Sequence, residues 1–241
     1  PNGKNINTNC GATYPEKLSS RTLSTDSHIG ISFDGDADRV LFCDETGNII
    51  DGDFILAILS NNLMTNNFLE NNLVVTTKMS NLGFRHYLDK QKINYILSDV
   101  GDRYVIEMMK SHGACIGGEQ SGHIIFSENS YCGDGLLTAL QILEILNKKK
   151  CSLFELSNDL FQKFPQKLIN LKVMKEPNEI LEDLKIKRYL SNVLEKKDCD
   201  ILLRKSGTEN LLRLMVQSNS KELTDFIIRD LVKIIKEIDE N

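Results

Sequence analysis

The spacing of apolar and polar positions changes along the chain, and each change predicts a different element. Residues 1–27 are mostly polar, with many Asn and Gly and a short helix start at residues 15–18. Two apolar, β-branched runs at residues 28–33 and 40–43 predict strands. Residues 45–48 have the composition of a turn, so the second strand should continue into a hairpin. The low apolar content of the first segment implies that it packs on another part of the protein.

From residue 51 onward, helical periodicity alternates with short apolar runs, and Asn81 is placed to cap one of the helices. The predicted helices cover residues 54–63, 81–90, 102–110 and 134–146, and the predicted strands cover 73–77, 95–97, 115–118 and 123–126. Alternation of this kind implies a mainly parallel sheet with helices packed on its faces.

The last part of the chain, after a lysine-rich break at residues 148–150, has a different pattern. It predicts a short helix at 153–160, strands at 168–173, 200–203 and 211–216, a helix at 179–194 and an amphipathic helix at 220–238. This order is typical of an α+β unit. The predicted class is therefore α/β: a mainly parallel-sheet α/β domain, preceded by a partial α/β domain and followed by a smaller α+β domain.

Composition narrows the classes of function. The 241 residues are 41% hydrophobic and 26% charged, which is typical of globular proteins with ample core. A net charge of −5 argues against a nucleic-acid partner. No apolar run reaches about 18 residues and no signal peptide opens the chain, so no membrane partner is expected. Six cysteines without metal-like or disulfide-framework spacing predict reduced residues in a cytoplasmic protein.

The most chemically distinctive stretch follows the first predicted strand. Asp34, Asp36 and Asp38 alternate in an extended loop, so their carboxylates can face one cation, and all-oxygen ligation suits Mg²⁺. Arg39 beside them is suited to a phosphate. A solvated acidic turn is the simplest alternative. A calcium-binding helix–loop–helix is excluded because Arg39 stands where that loop needs Gly and the preceding residues predict a strand.

Two further loops carry polar groups at suggestive spacing. In the glycine-rich turn at residues 117–123, Glu119 and Ser121 can hydrogen-bond neighbouring hydroxyls of a sugar, and His123 can act as an acid/base group or contact a phosphate. The alternative is a tight hairpin with a structural histidine. Arg103, at a predicted helix start, is a weaker candidate for a phosphate contact.

The third loop lies between the last two predicted strands. Its backbone N–H groups and the hydroxyls of Ser206 and Thr208 can bind an anion that Arg204 contacts in a bidentate manner. It lacks the glycine spacing of a Walker loop, and an ordinary charged hairpin is the alternative.

Taken in order, these loops resemble a known family. Asp-Gly-Asp-Ala-Asp-Arg at 34–39, Gly-Glu-Gln-Ser-Gly-His at 118–123 and Arg-Lys-Ser-Gly-Thr-Glu at 204–209 are similar to the three C-terminal signature loops of the α-D-phosphohexomutases. The resemblance covers essentially the whole chain. The Gln of the second loop, with residues 77–83 and 100–105, is most similar to the bacterial members that act on glucosamine phosphates.

The resemblance implies a four-domain architecture, of which this chain holds the C-terminal part. Residues 1–50 would be the end of the second domain with the metal loop. Residues 51–158 would be the third domain with the sugar-binding loop, and residues 159–241 the mobile fourth domain with the phosphate-binding loop. A homodimer is left open.

The resemblance also implies roles for individual residues. Three aspartates would hold Mg²⁺, Arg39 and His123 would lie at the transferring phosphoryl group, and Glu119, Ser121 and Arg103 would bind the substrate. The implied metal ligands are Asp34, Asp36 and Asp38, and the implied phosphate-binding residues are Arg204, Ser206, Gly207, Thr208 and Arg213.

The implied reaction is the interconversion of glucosamine 6-phosphate and glucosamine 1-phosphate through a phosphoserine and a 1,6-bisphosphate sugar, in the synthesis of amino-sugar nucleotides and cell-wall precursors. The family's phosphoserine motif, Ser-His-Asn-Pro, has no match in these residues, and the sequence begins at Pro1 rather than Met. We therefore expect a fragment or a processed product that cannot turn over by itself. Asn210, where the family usually has Pro, is expected to loosen the third loop.

Three other functions remain open at this point. They are a phosphomannomutase or phosphoglucomutase within the same family, a metal-dependent phosphatase, and a non-catalytic module that binds phosphosugars.

Overall fold

The computed structural model describes residues 2–194, 199–206 and 209–240. The chain divides into two compact units. The first comprises residues 1–80 and 84–162, and the second comprises residues 81–83 and 163–241.

The first unit opens with a helix and a small antiparallel sheet. Helix α1 (Pro15–Ser24) is followed by strands β1 (Ile29–Phe33), β2 (Val40–Asp44) and β3 (Ile49–Ile50), in the order β1-β2-β3. The turn between β2 and β3 forms because the buried Asp44 carboxylate accepts hydrogen bonds from the N–H groups of Thr46 and Asn48, both at 2.9 Å. The predicted strands and turn are confirmed.

The rest of the first unit alternates strands and helices, as predicted. Its elements are α2 (Gly52–Thr65), β4 (Leu73–Thr77), α3 (Leu82–Gln91), β5 (Asn94–Ser98), α4 (Asp102–His112), β6 (Ile116–Gly118), β7 (Ile124–Phe126), α5 (Gly135–Lys149) and α6 (Leu153–Ser157), with a 3₁₀ turn at Glu70–Asn72. The sheet order is β5-β4-β6-β7; β4 pairs in parallel with β5 and β6, and β7 is antiparallel to β6. Asn81 caps α3 by accepting from the Gly83 N–H at 2.9 Å; residues 81–83 themselves are assigned to the second unit.

One apolar core lies beneath both sheets of the first unit. Val40 and Phe42 of β2 are fully buried in the same cluster as α2, α5 and Val74 of β4. Because the two sheets share this core, the loops at their ends keep a fixed relation to each other.

The second unit is a three-stranded antiparallel sheet with helices. It contains β8 (Gln166–Lys172), α7 (Pro177–Glu182), α8 (Leu184–Leu194), β9 (Cys199–Lys205), β10 (Leu211–Ser218) and α9 (Lys221–Asp239). The strand order is β8-β10-β9. The buried apolar residues of α9, which include Leu231 and Ile235, belong to the same cluster as Leu212 and Leu214 of β10. The α/β class, with an α+β unit at its C-terminal end, is confirmed.

Two helix predictions were wrong in extent. The helix predicted at 179–194 is two helices, because Asp183 is extended (ψ 136°) and its carboxylate accepts from the Lys185 N–H at 2.7 Å, which begins a new helix. The helix predicted at 153–160 ends at Ser157. Within the described ranges, no helix is both long and apolar enough to cross a membrane.

Candidate active site

The acidic stretch is the loop of the hairpin formed by β1 and β2, which pair antiparallel up to Phe33 and Val40. Ligand oxygens of Asp34, Asp36 and Asp38 all lie within 4.8 Å of one another. The loop thus follows a strand rather than a helix, as predicted. Three carboxylates at this separation fit a small divalent cation with oxygen ligands.

The surroundings of Asp38 disfavour its charged form. Burial is the largest cause that raises the pKa of the Asp38 carboxyl, and a hydrogen bond with Asp34 raises it further. The charge of His123 lowers this pKa, whereas the smaller effects of the Asp34 and Asp36 charges raise it. Nε of Arg39 lies 3.7 Å from Asp34 and 3.9 Å from Asp38, which offsets part of the repulsion. The donor set therefore fits Mg²⁺, whose charge would relieve the remaining repulsion.

His123 connects the acidic loop to the glycine-rich turn. Its Nδ1 lies 3.1 Å from a carboxylate oxygen of Asp38, and its backbone forms an isolated antiparallel bridge with Arg39. The imidazole is only 5% exposed, and its buried Nε2 has no hydrogen-bond partner among the described residues. The structure thus brings the predicted metal ligands and His123 together.

The predicted sugar-binding residues lie in the same turn. One oxygen of Glu119 accepts from the Gly101 N–H at 2.8 Å, and the other accepts from the Ser121 hydroxyl at 3.4 Å. Gly101 precedes α4, so the exposed Arg103 in the first turn of that helix lies at the same edge of the sheet. The structure therefore places Glu119 and Ser121 in the turn that ends at His123, which contacts Asp38, and it places Arg103 two residues after the Gly101 that contacts Glu119.

The motifs do not reveal what holds this turn in place. The Gly52 N–H donates to the Gln120 carbonyl at 2.9 Å, and the Gln120 side-chain amide donates to the carboxylate of Asp53 at 3.0 Å. Asp53 is fully buried in the first turn of α2. The only sequence signal is an acidic residue at a predicted helix start, which normally indicates capping.

The predicted phosphate-binding residues lie in the second unit. Arg204 and Arg213 are directly opposite each other on β9 and β10. Opposed like charges destabilise a sheet, and a bound anion would remove that repulsion. Nε of Arg213 is buried without a hydrogen-bond partner in the described part of the chain. Ser206 is buried and its N–H donates to the Leu211 carbonyl at 2.9 Å.

Two residues predicted in this loop, Gly207 and Thr208, lie outside the described residues. Asn210, two residues after Thr208, makes a contact that the sequence did not predict. Its side-chain amide donates to the Val173 carbonyl at 3.0 Å. This contact joins the end of the loop to the residue that follows β8, and the expectation of a looser turn stays a prediction.

Comparison with family models then decides the relationship. The model described as "Phosphoglucomutase/phosphomannomutase, alpha/beta/alpha domain III" matches residues 51–164, and the model of the C-terminal domain of the same family matches residues 168–234. The chain belongs to the phosphohexomutase family. The resemblance inferred from the three loops is therefore confirmed.

The curated relatives that this chain matches include phosphoglucosamine mutases. Phosphoglucosamine mutase of Bacillus subtilis (strain 168) is 43% identical over 238 residues, and that of Thermoanaerobacter sp. (strain X514) is 45% identical over 240 residues. Each alignment covers 98% of this chain and 53% of the relative. This phosphohexomutase chain thus spans about half the length of the curated relatives it matches.

Solved structures agree on the fold. A phosphoglucomutase/phosphomannomutase family protein of Burkholderia thailandensis is 23% identical with a TM-score of 0.76, covering 94% of this chain and 51% of that one. N-acetylphosphoglucosamine mutase of Aspergillus fumigatus, solved with GlcNAc-6P and magnesium, is 19% identical with a TM-score of 0.71. The match covers 97% of this chain and 53% of that one. At these identities the similarity concerns the phosphohexomutase fold.

Proposed function

We propose that this chain carries the metal, sugar and phosphate sites of a phosphoglucosamine mutase, which interconverts glucosamine 6-phosphate and glucosamine 1-phosphate through a phosphoserine enzyme and a 1,6-bisphosphate sugar. The observation that carries the proposal is the contact of His123 with Asp38, which joins the acidic loop to the turn bearing Glu119 and Ser121. Identity of 43–45% to phosphoglucosamine mutases supports this substrate over other hexose phosphates.

Each group has a physical task in this reaction. Asp34, Asp36 and Asp38 hold Mg²⁺, which when bound offsets negative charge on a phosphoryl group. Arg39, which is 39% exposed, can contact a phosphoryl oxygen while it remains near the carboxylates. His123 was predicted to act at the phosphoryl group; we propose instead that it positions Asp38, because its Nδ1 lies 3.1 Å from the Asp38 carboxylate and its imidazole is only 5% exposed.

Each unit carries groups suited to one part of the proposed substrate. In the first unit, Glu119 and Ser121 bind the sugar hydroxyls, and Arg103 adds a cation. In the second unit, the groups that bind a phosphate are Arg204, Ser206, Gly207, Thr208 and Arg213.

We place the protein in the cytoplasm. The spacing of its six cysteines along the sequence is not that of a disulfide framework, which supports a reducing compartment.

The test compares two proteins, this 241-residue chain and the product of the complete reading frame. Because the chain contains no Ser-His-Asn-Pro motif, we expect it to bind glucosamine 6-phosphate in the presence of Mg²⁺ without turnover. The complete protein should convert glucosamine 6-phosphate faster than mannose or glucose 6-phosphate in a coupled assay. Rapid turnover by the chain alone would contradict the assignment, and so would preference for mannose 6-phosphate.

A further inference from the structure

A short segment before α5 contacts both loops of the candidate active site. We call residues 133–135 (Gly-Asp-Gly) the glycine clamp. Its first residue forms an isolated antiparallel bridge with Ile125, and the N–H of its second donates to the Ile124 carbonyl at 3.1 Å. The N–H of its third residue donates to the Ala37 carbonyl in the acidic loop at 2.9 Å. The clamp therefore joins the strand after His123 to the centre of the metal loop.

Gly135 controls the backbone on both sides of Asp38. A Cβ atom at this position would lie 2.8 Å from the carbonyl oxygens of both Ala37 and Arg39. These are backbone atoms, so any larger residue would displace the peptide groups that flank Asp38. Ala37 also has a left-handed backbone (φ 60°), which is unfavourable for alanine and needs fixed partners. Gly135 supplies one of them.

Gly133 controls the same carboxylate through His123. A Cβ atom at this position would lie 2.4, 2.5 and 2.6 Å from the Cε1, Nε2 and Nδ1 atoms of the imidazole. The ring thus lies flat against the glycine. A side chain there would displace Nδ1 from its position 3.1 Å from Asp38. Both glycines therefore act on one metal ligand by different routes.

We propose that the glycine clamp is a positioning element of the metal site, which sets the direction of the Asp38 carboxylate through the Ala37 and Arg39 carbonyls and through the His123 ring. This rests on the proposed function only in taking the three aspartates as Mg²⁺ ligands. None of the three clamp residues is among the proposed metal or substrate ligands, so the clamp acts through its neighbours.

The first test measures Mg²⁺ binding to the 241-residue chain by isothermal titration calorimetry. Gly135→Ala should weaken binding at least tenfold, towards the value of the ligand-deficient D38N. Leu136→Ala is the matched control, because Leu136 is the next residue of α5 and its side chain is 59% exposed. It should bind Mg²⁺ as the wild type does. Circular dichroism establishes that each variant is folded.

The second test is a double-mutant cycle that separates the Gly133 route from general destabilisation. Gly133→Ala and His123→Ala should each weaken Mg²⁺ binding about three- to tenfold. In the His123→Ala background the ring is absent, so adding Gly133→Ala should change binding less than twofold. Additive losses would overturn the proposal, and this cycle decides it if Gly135→Ala does not fold.

The outcomes distinguish this proposal from the metal site itself. Unchanged Mg²⁺ binding in folded Gly135→Ala, with binding lost in D38N, would overturn the clamp and leave the metal site standing. A wild-type chain that binds no Mg²⁺ would overturn both.

Discussion

The two units present their candidate binding residues in different ways. In the first unit, backbone hydrogen bonds join the loops to each other: Val40 donates to Gly122 at 3.1 Å, and Gly135 donates to Ala37 at 2.9 Å. In the second unit, Arg204 and Arg213 project from adjacent strands of one sheet. A site for a compact cation thus depends on loop geometry, whereas a site for a phosphate can be built from two charged side chains on rigid strands.

The largest effect on ligand binding should follow from replacing one of these arginines. Arg213→Ala should weaken the binding of glucosamine 6-phosphate to the chain by roughly 10- to 100-fold, because a charge-assisted hydrogen bond contributes about 1.5–3 kcal/mol. Mg²⁺ binding in the first unit should be unchanged, and both can be measured by calorimetry. Arg188→Ala, at an exposed position of α8, is the control. Equal losses in both variants would mean that net charge, rather than the opposed pair, attracts the phosphate.

A smaller effect is expected where a side chain supports the sugar-binding turn. Asp53→Ala leaves the Gln120 amide without the acceptor at 3.0 Å. The free energy of unfolding should fall by about 1–3 kcal/mol. Each kcal/mol should lower the Tm by roughly 2–4 °C, and glucosamine 6-phosphate should bind more weakly.

The double variant Asp53→Ala/Gln120→Met provides the control for this pair. Since it removes donor and acceptor together, its Tm should fall by less than the sum of the single changes. Strict additivity in thermal melts would show that the two side chains do not support the turn as a pair.

Asn210 contacts the chain after β8 from the candidate phosphate-binding loop. Asn210→Ala removes the hydrogen bond to the Val173 carbonyl and should destabilise the second unit by about 1 kcal/mol. Asn210→Asp keeps the size of the side chain but cannot donate, so it should be at least as destabilised. Thermal unfolding of both variants is the measurement, and an Asp variant as stable as the wild type would exclude the hydrogen bond as the cause.

The smallest expected effect is an increase, not a loss, in the stability of the metal-free protein. Because burial and nearby carboxylates raise the pKa of Asp38 in the folded protein, ionising this group weakens the fold in the absence of metal. Asp38→Asn should therefore raise the Tm of the Mg²⁺-free chain at pH 7 by a few degrees at most.

The pH dependence checks the cause of this effect. The advantage of Asp38→Asn should disappear as pH falls below about 3.9, the ordinary aspartate pKa, where the wild-type carboxyl is protonated in both states. Saturating Mg²⁺ should stabilise the wild type more than the variant. A difference in Tm that does not change with pH would contradict the electrostatic explanation.

Much of the fold could be predicted from the sequence because apolar periodicity and capping residues act locally. Asn81, for example, caps α3 as its position in the sequence indicates. The break at Asp183 could not be predicted in this way, because the flanking apolar spacing remains helical on both sides. The outcome there depends on one side chain that accepts from the Lys185 N–H.

The candidate site, like the fold, could be predicted from the sequence only in part. Alternating carboxylates and the Glu119–Ser121 spacing are visible in the sequence, since ligands of one group often lie close together along a chain. The contacts of Gln120 with Asp53, and of Gly135 with Ala37, join residues 67 and 98 positions apart, so only the folded core brings them together. A Gly-Asp-Gly sequence before a helix indicates only a helix start.

The bridge between Arg39 and His123 has a consequence for how such a site can diversify. The framework that brings the two loops together consists largely of main-chain hydrogen bonds, which any amino acid except proline can make. Side chains that face the ligand can thus be exchanged without dismantling the framework. New metal preferences or sugar specificities are then within reach of single substitutions, while the glycines behind them tolerate almost none.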